Sequence, residues 1–281
     1  MSSKHDPTSR RQFLTQGFRS LARAGFGGFA ERLENAFKSV TEPATPRILR
    51  SEILTSAHCF GNRIHRGEFN LDRLVEHLRE IGAQGLEMSD AYLRTSSHDE
   101  IEALRMALFR NELHMSAMEV TQDFDIADEA IRTQRANDAA RRIEIYSLAP
   151  FSVARIVGPG SQISLVDYKE CLRSLYAASK ATGVRIAIEV DPSNCDELLS
   201  LIDPANPQLL GIAFADAIDW DRSFERLFHV RLGLESRDTI ETARRLRERG
   251  YAGPISLICQ EENADQLPDL IAELKTLETS E

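Results

Sequence analysis

From Ile48 onward, short apolar runs alternate with longer stretches whose apolar residues recur every three or four positions. The short runs are 52–57 (EILTSA), 85–88 (GLEM), 114–119 (HMSAME), 153–157 (VARIV), 185–190 (RIAIEV), 209–215 (LLGIAFA), 228–233 (FHVRLG) and 254–258 (PISLI). Their lengths and β-branched content predict strands. Between them, 71–81, 99–110 and 239–250 carry a helical period. Ser97 precedes Glu100 by three, Asn194 precedes Glu197 and Asp238 precedes Glu241, the spacing of a reciprocal N-terminal cap. Gly82, Gly183 and Gly250 stand where helices should stop in a left-handed residue. Strand and helix in strict alternation mean parallel pairing through right-handed crossovers. Eight such units predict an α/β fold of the (β/α)8 type, with its chemistry at the C-terminal ends of the strands. The segment 158–162 (GPGSQ) lacks the spacing of a dinucleotide fingerprint.

Residues 1–47 break this pattern and form a separate N-terminal segment before the barrel of 48–281. Leu14, Phe18, Leu21, Phe29, Leu33, Phe37 and Val40 recur at steps compatible with one helical face, with Arg19, Arg23, Arg32 and Lys38 mostly elsewhere. A basic amphipathic stretch over residues 10–40 could pack on its own domain, dock on a protein partner or lie on an anionic membrane surface. Ser9–Leu14 (SRRQFL) also resembles a twin-arginine export motif. Arg19 and Arg23 interrupt the apolar stretch such a signal needs, and no small-residue cleavage site follows. The expected location is cytoplasmic or membrane-peripheral, with twin-arginine export as the alternative. Pro43 and Pro46 then make 41–47 a stiff linker.

Charge sharpens this division. The 281 residues carry a formal net charge of −10, yet nine Lys/Arg against four Asp/Glu make residues 1–50 +5, leaving −15 for the rest. A body that acidic is a poor partner for nucleic acid. Four cysteines in a chain of this length predict reduced thiols rather than a disulfide framework. A carboxylate at the mouth of an apolar strand needs a cation opposite it, and Glu189 occupies such a place.

Several phrases (LREIGAQGLEMSD, GVRIAIEV, RLFHVRLGLE and RGYAGPISL) resemble the second, fifth, seventh and eighth strand regions of the xylose isomerase-like barrels, the superfamily of sugar and sugar-phosphate isomerases and epimerases. The resemblance spans roughly residues 48–270 and implies one or two divalent metals at the strand mouths, held by a Glu after strand five, an Asp after strand six, a His on strand seven and a Glu ending strand eight. Carried over by position, these fall at Glu189, Ala215, Arg231 and Ile258. Arginine has no lone pair to give a metal. The expectation is therefore no metal cofactor, with a guanidinium facing a vestigial Glu189: Arg231 first, Arg155 otherwise. A register slip would leave Asp216 and Glu261 as ligands of Mn, Mg, Zn or Co.

The same carry-over makes Glu87, Glu119 and Glu189 the candidate proton-transfer carboxylates, although caps account for such residues as well. Arg155, Arg231, His229 and Asp191 are the candidate ligand-binding groups, His229 being equally a core histidine. His58, Cys59 and Cys259 end neighbouring strands and form a weaker candidate zinc clasp. The ligand implied is small and carbohydrate-like or anionic. Two functions follow: a metal-independent or non-catalytic binding barrel, or an isomerase/epimerase using Glu189 as base and an arginine to stabilise an enediolate. The abasic-site endonucleases of the same superfamily need a His- and Asp-rich zinc cluster that this chain does not offer.

Overall fold

Short apolar runs become barrel strands because both of their faces are buried, one under helices and one around the barrel axis. A computed structural model describes residues 52–149, 151–160, 163–190, 198–200, 208–215, 224–234 and 238–279. The N-terminal pattern, Asp191, the Asn194–Glu197 pair and Asp216 lie outside the described residues. The chain divides into two compact units, Met1–Leu49 and Arg50–Glu281.

The second unit contains β1 (Ile53–Ser56), α1 (Gly61–His65), α2 (Leu71–Glu80), β2 (Gly85–Ser89), α3 (His98–Arg110), β3 (His114–Glu119), α4 (Glu129–Tyr146), β4 (Val153–Val157) and α5 (Leu165–Thr182). It continues through β5 (Arg185–Val190), β6 (Leu210–Ala215), β7 (Leu227–Gly233), α6 (Thr239–Glu248), β8 (Ile255–Ile258) and α7 (Leu267–Thr279). Neighbouring strands pair in parallel in chain order, and β8 closes on β1 with Ile53 opposite Ile255. The (β/α)8 expectation is met, and each strand begins and ends within one residue of its sequence-derived span.

Alternate strand residues divide between two environments. Leu86, Met88, Met118, Ile156, Ile188, Phe214, Val230 and Leu257 join the continuous apolar layer under the helices. Val153, Ala187, Ala213 and Phe228 form a separate small cluster around the axis. Phe228 fits because its neighbour has no side chain: a Cβ on Gly211 would stand 2.6 Å from the Phe228 ring. Above this plug the axial positions turn polar, which places the site.

Helix starts follow local chemistry. Asn70 Oδ1 accepts from the Arg73 N–H at 2.8 Å and starts α2, which buries Leu74, Val75 and Leu78. Each such side chain contributes about 1.5–3 kcal/mol through burial. Ser97 caps α3 as expected, but the Glu100 carboxylate does not reach back to Ser97. It accepts instead from the backbone N–H groups of Arg94, Thr95 and Ser96 at 2.7, 2.8 and 2.9 Å, gathering the loop before the helix. Asp238 occupies the N-cap of α6 without a side-chain cap bond, so that expected capping box does not form. Gly183 ends α5 at φ 80°, a conformation that costs other L residues about 1–2 kcal/mol.

Candidate functional site

Four consecutive strands each deliver one long charged side chain toward the axis. Parallel register sets Glu119 of β3 beside Arg155 of β4, and Glu189 of β5 beside Val157. Arg155 is almost wholly buried and lies among the carboxylates of the flanking strands. Its Nε donates to Glu87 Oε1 at 3.1 Å, and its Nη1 donates to Glu189 Oε2. Its Nη2 stands 2.8 Å from Glu119 Oε2, close in distance but without hydrogen-bond geometry. Ala187 and Ala213, both fully buried on the inner face, leave axial space beside this long side chain.

Glu189 thus meets an arginine, but the order of the two candidates is reversed. Arg155 makes the direct bond, while Arg231 Nη1 lies 3.6 Å from Glu189 Oε1 and its Nε 3.5 Å from Glu87 Oε1. Adjacency explains this: β4 pairs with β5, whereas β7 is separated from β5 by β6.

These three carboxylates face two guanidinium groups. Burial alone would push the Glu87 carboxyl up, but Arg231, His229 and Arg155 together hold it well below the usual carboxylate range. Burial also opposes ionisation of Glu119, yet the His58 hydrogen bond and the Arg155 charge hold it down to about 2. For Arg155, burial disfavours the cation and the three carboxylates more than restore it. Glu87 and Glu119 are therefore inward-facing ion-pair partners, not caps. Bound in this way they are weak proton acceptors.

His229 shares the inner face with Arg231, as their spacing of two implies, but it sits below the opening and is fully buried. Its Nε2 shares a 2.7 Å hydrogen bond with Ser256 Oγ, and its Nδ1 has no partner. Burial, reinforced by the two arginines, depresses it to about 4, so the ring is neutral near pH 7.

The fallback ligand Glu261 turns away from this cluster. Its carboxylate accepts from the Arg63 N–H at 3.2 Å and from Arg66 Nη2 at 3.3 Å, fastening the loops after β1 and β8. Asp90 is likewise structural, accepting from Thr121 N, Arg142 Nη1 and Tyr146 Oη. His58 is aimed away from the zinc clasp suggested for it. Its Nε2 bonds Glu119 Oε2 and its Nδ1 lies 2.9 Å from Tyr92 Oη. Cys59 donates to the Leu257 carbonyl at 3.6 Å, and its hydrogen bond with Cys259, followed by burial, pushes the thiol up. Among the described residues no three His, Cys, Asp or Glu side chains converge as a metal requires.

Tyr92 belongs to a site that sequence reading did not anticipate. It lies in a three-residue helical turn after β2, where no periodicity marks it. It also lines a cavity of about 570 Å³ with His65, Phe69, Asn70, Met88 and Arg94. Among the described residues no helix is long and apolar enough to cross a membrane.

No family model matches the chain, and no curated protein matches it significantly. Solved structures do. The 3-keto-D-glucoside 4-epimerase of E. coli aligns with a TM-score of 0.64 at 16% identity, over 80% of this chain and 99% of its own. A xylose isomerase domain protein from Planctomyces limnophilus aligns at 0.62 and 15%, over 82% and 98%. A D-allulose 3-epimerase from Methylomonas sp., solved in complex with D-allulose, aligns at 0.59 and 14%, over 82% and 96%. At such identities the likeness is one of architecture: the chain has the same (β/α)8 barrel fold as these structures.

Proposed function

We propose that this barrel binds a small carbohydrate-like or anionic ligand over its C-terminal mouth and does so without a divalent metal. The single observation that carries the reading is the engagement of Arg155 by Glu87, Glu119 and Glu189 together. A divalent ion at the mouth would need several oxygen or nitrogen donors with lone pairs to spare. Glu189 spends its oxygens on two guanidinium groups. The positions that the resemblance assigns to the other ligands, Ala215, Arg231 and Ile258, offer no lone-pair donor in their side chains. An arriving cation would also meet the charges of Arg155 and Arg231. Among the described residues the donor set does not fit the ion.

What remains suits hydroxyl groups. Glu189 and Arg231, with side chains 25% and 12% exposed, give an acceptor and a cationic donor that reach the opening. Such a pair can take vicinal hydroxyls or an anionic substituent. The sugar held by the D-allulose 3-epimerase neighbour is consistent with a ligand of that kind.

The test pairs two measurements. Metal content of the purified protein should fall well below one divalent ion per chain. Calorimetric binding of D-allulose, D-tagatose and a hexose phosphate should be unchanged by EDTA. A stoichiometric ion that survives dialysis, or sugar binding that appears only on adding manganese, overturns the reading. A second reading, proton transfer next to the carbonyl of the bound sugar, is favoured by one observation: the hydrogen-bonded tyrosine and histidine at the same rim.

A further inference from the structure

We propose that Tyr92, His58 and Glu119 form a metal-free proton relay at the rim of the barrel, the Tyr92 oxygen being the atom that exchanges a proton with a bound keto sugar. The proposal rests on the reading that the mouth binds a carbohydrate.

The three groups come from three successive strand ends and meet in one line. Tyr92 Oη lies 2.9 Å from His58 Nδ1, and His58 Nε2 bonds Glu119 Oε2. Glu119 is held ionised, so it can only accept, and the shared proton belongs to Nε2. In the neutral imidazole Nδ1 is then an acceptor, and the phenol donates to it. This polarity leaves the lone pairs of the Tyr92 oxygen for an incoming group. A carboxylate behind an imidazole also stabilises the imidazolium that forms when the phenol proton moves inward.

A second feature shows that the phenol has reserved space. Gly61 lies at φ −55°, an ordinary helical conformation open to any L residue, so its backbone does not require glycine. The requirement is steric: a Cβ there would stand 2.6 Å from Tyr92 Oη. The substrate-side end of the relay reaches open space, since Tyr92 borders the cavity, and the inner end, Glu119, is largely buried. Glu87 and Glu189 are committed to Arg155, which leaves this relay to move protons.

The step balances without a metal or redox partner. The C–H bond next to the sugar carbonyl breaks, and its electron pair enters the new C–C double bond of an enediolate. The proton passes to the Tyr92 oxygen as the phenol proton passes to His58 Nδ1. The imidazolium rests against Glu119, and the negative charge stays on the enediolate oxygen. Reversal returns a proton to the same carbon or its neighbour. Tyr92 is the catalytic residue here; His58 and Glu119 position and charge it.

The experiment follows hydrogen exchange by NMR in D2O with EDTA, using D-allulose and D-tagatose as probes, with calorimetric binding of the same sugars alongside. Wild type should incorporate deuterium next to the carbonyl. Tyr92→Phe and His58→Gln should each slow incorporation by about 100-fold or more, with affinity held within about threefold. Gly61→Ala keeps every chemical group but displaces the phenol, and should also lose exchange. Exchange at the wild-type rate in Tyr92→Phe or His58→Gln overturns the relay, as does a wild type that binds the sugars without exchanging them. A wild type that binds neither sugar overturns the binding reading instead. Circular dichroism and melting curves confirm folding, and the three variants lie at separate positions, so a single unfolded variant leaves the test decisive.

Discussion

Arg155 Nε donates to Glu87 Oε1 across 3.1 Å in a place where the two side chains are 2% and 1% exposed. Neither could be there alone. A buried ion pair with well-made hydrogen bonds often adds little net stability, yet removing one partner strands the other. Arg155 has three partners, so its removal should strand three carboxylates. Arg155→Met is expected to destabilise the fold by about 3–5 kcal/mol or more, read as a lowered urea midpoint. The double variant Arg155→Met/Glu87→Gln should recover part of that loss. Equal stability of wild type and Arg155→Met would contradict the cluster.

His229 makes stability depend on pH in a defined direction. Its folded value of about 4 lies below the ordinary 6.5, because burial disfavours the cation more than the Glu87 charge favours it, with Arg155 and Arg231 acting in the same direction as burial. As pH falls from 6.5 toward 4 the unfolded chain takes up a proton that the folded barrel refuses, so stability drops. The loss reaches about 3 kcal/mol by pH 4. Glu119, depressed from 4.5 to about 2, adds a further loss in the same sense below pH 4.5. Urea titrations at half-unit pH intervals should show both phases. His229→Gln should remove most of the first, leaving the smaller part due to His77, which burial also lowers, and should keep the second.

Replacing Arg231 by the histidine that the resemblance expects should not restore a metal. Ala215 and Ile258 still lack donors, and Arg155 still neutralises Glu189. Mass-spectrometric metal analysis of Arg231→His after growth with added manganese is expected to match wild type. A full equivalent of bound ion in the variant would mean that donors from elsewhere complete the set.

Glu100 holds the loop that follows Tyr92. Burial pushes its carboxyl up, but the backbone N–H groups of Arg94, Thr95 and Ser96 lower it below the ordinary value. Ser96 has φ 50°, a conformation stabilised locally by such bonds. Glu100→Ala should cost about 1–3 kcal/mol of stability by freeing these donors. Amide hydrogen exchange over 94–96 should rise sharply while that of β2 stays unchanged.

Much of the barrel was legible in the chain because its signals are local. The period of two or four in the apolar residues, the left-handed glycines at 82, 183 and 250, and the Ser97 cap depend only on near neighbours. Glu189 could be recognised as needing a cation from its place at the end of β5. Two expected capping boxes fell short, since Glu100 accepts from three backbone N–H groups ahead of the helix and Asp238 makes no side-chain cap bond. His58 was marked as a metal ligand, although its bonds go to an acid and a phenol.

Residue order, then, prescribes eight strands, their facing, and a ring of charged groups at their ends. It does not prescribe who pairs with whom in that ring. Closure of β8 on β1 and the stagger between neighbours decide that Arg155 reaches Glu189 before Arg231 does, and that Tyr92 meets His58 beside a glycine. The reason is geometric: strand identity is read from neighbours a few residues away, whereas these partners lie 34 and more residues apart and are brought together only when the cylinder shuts.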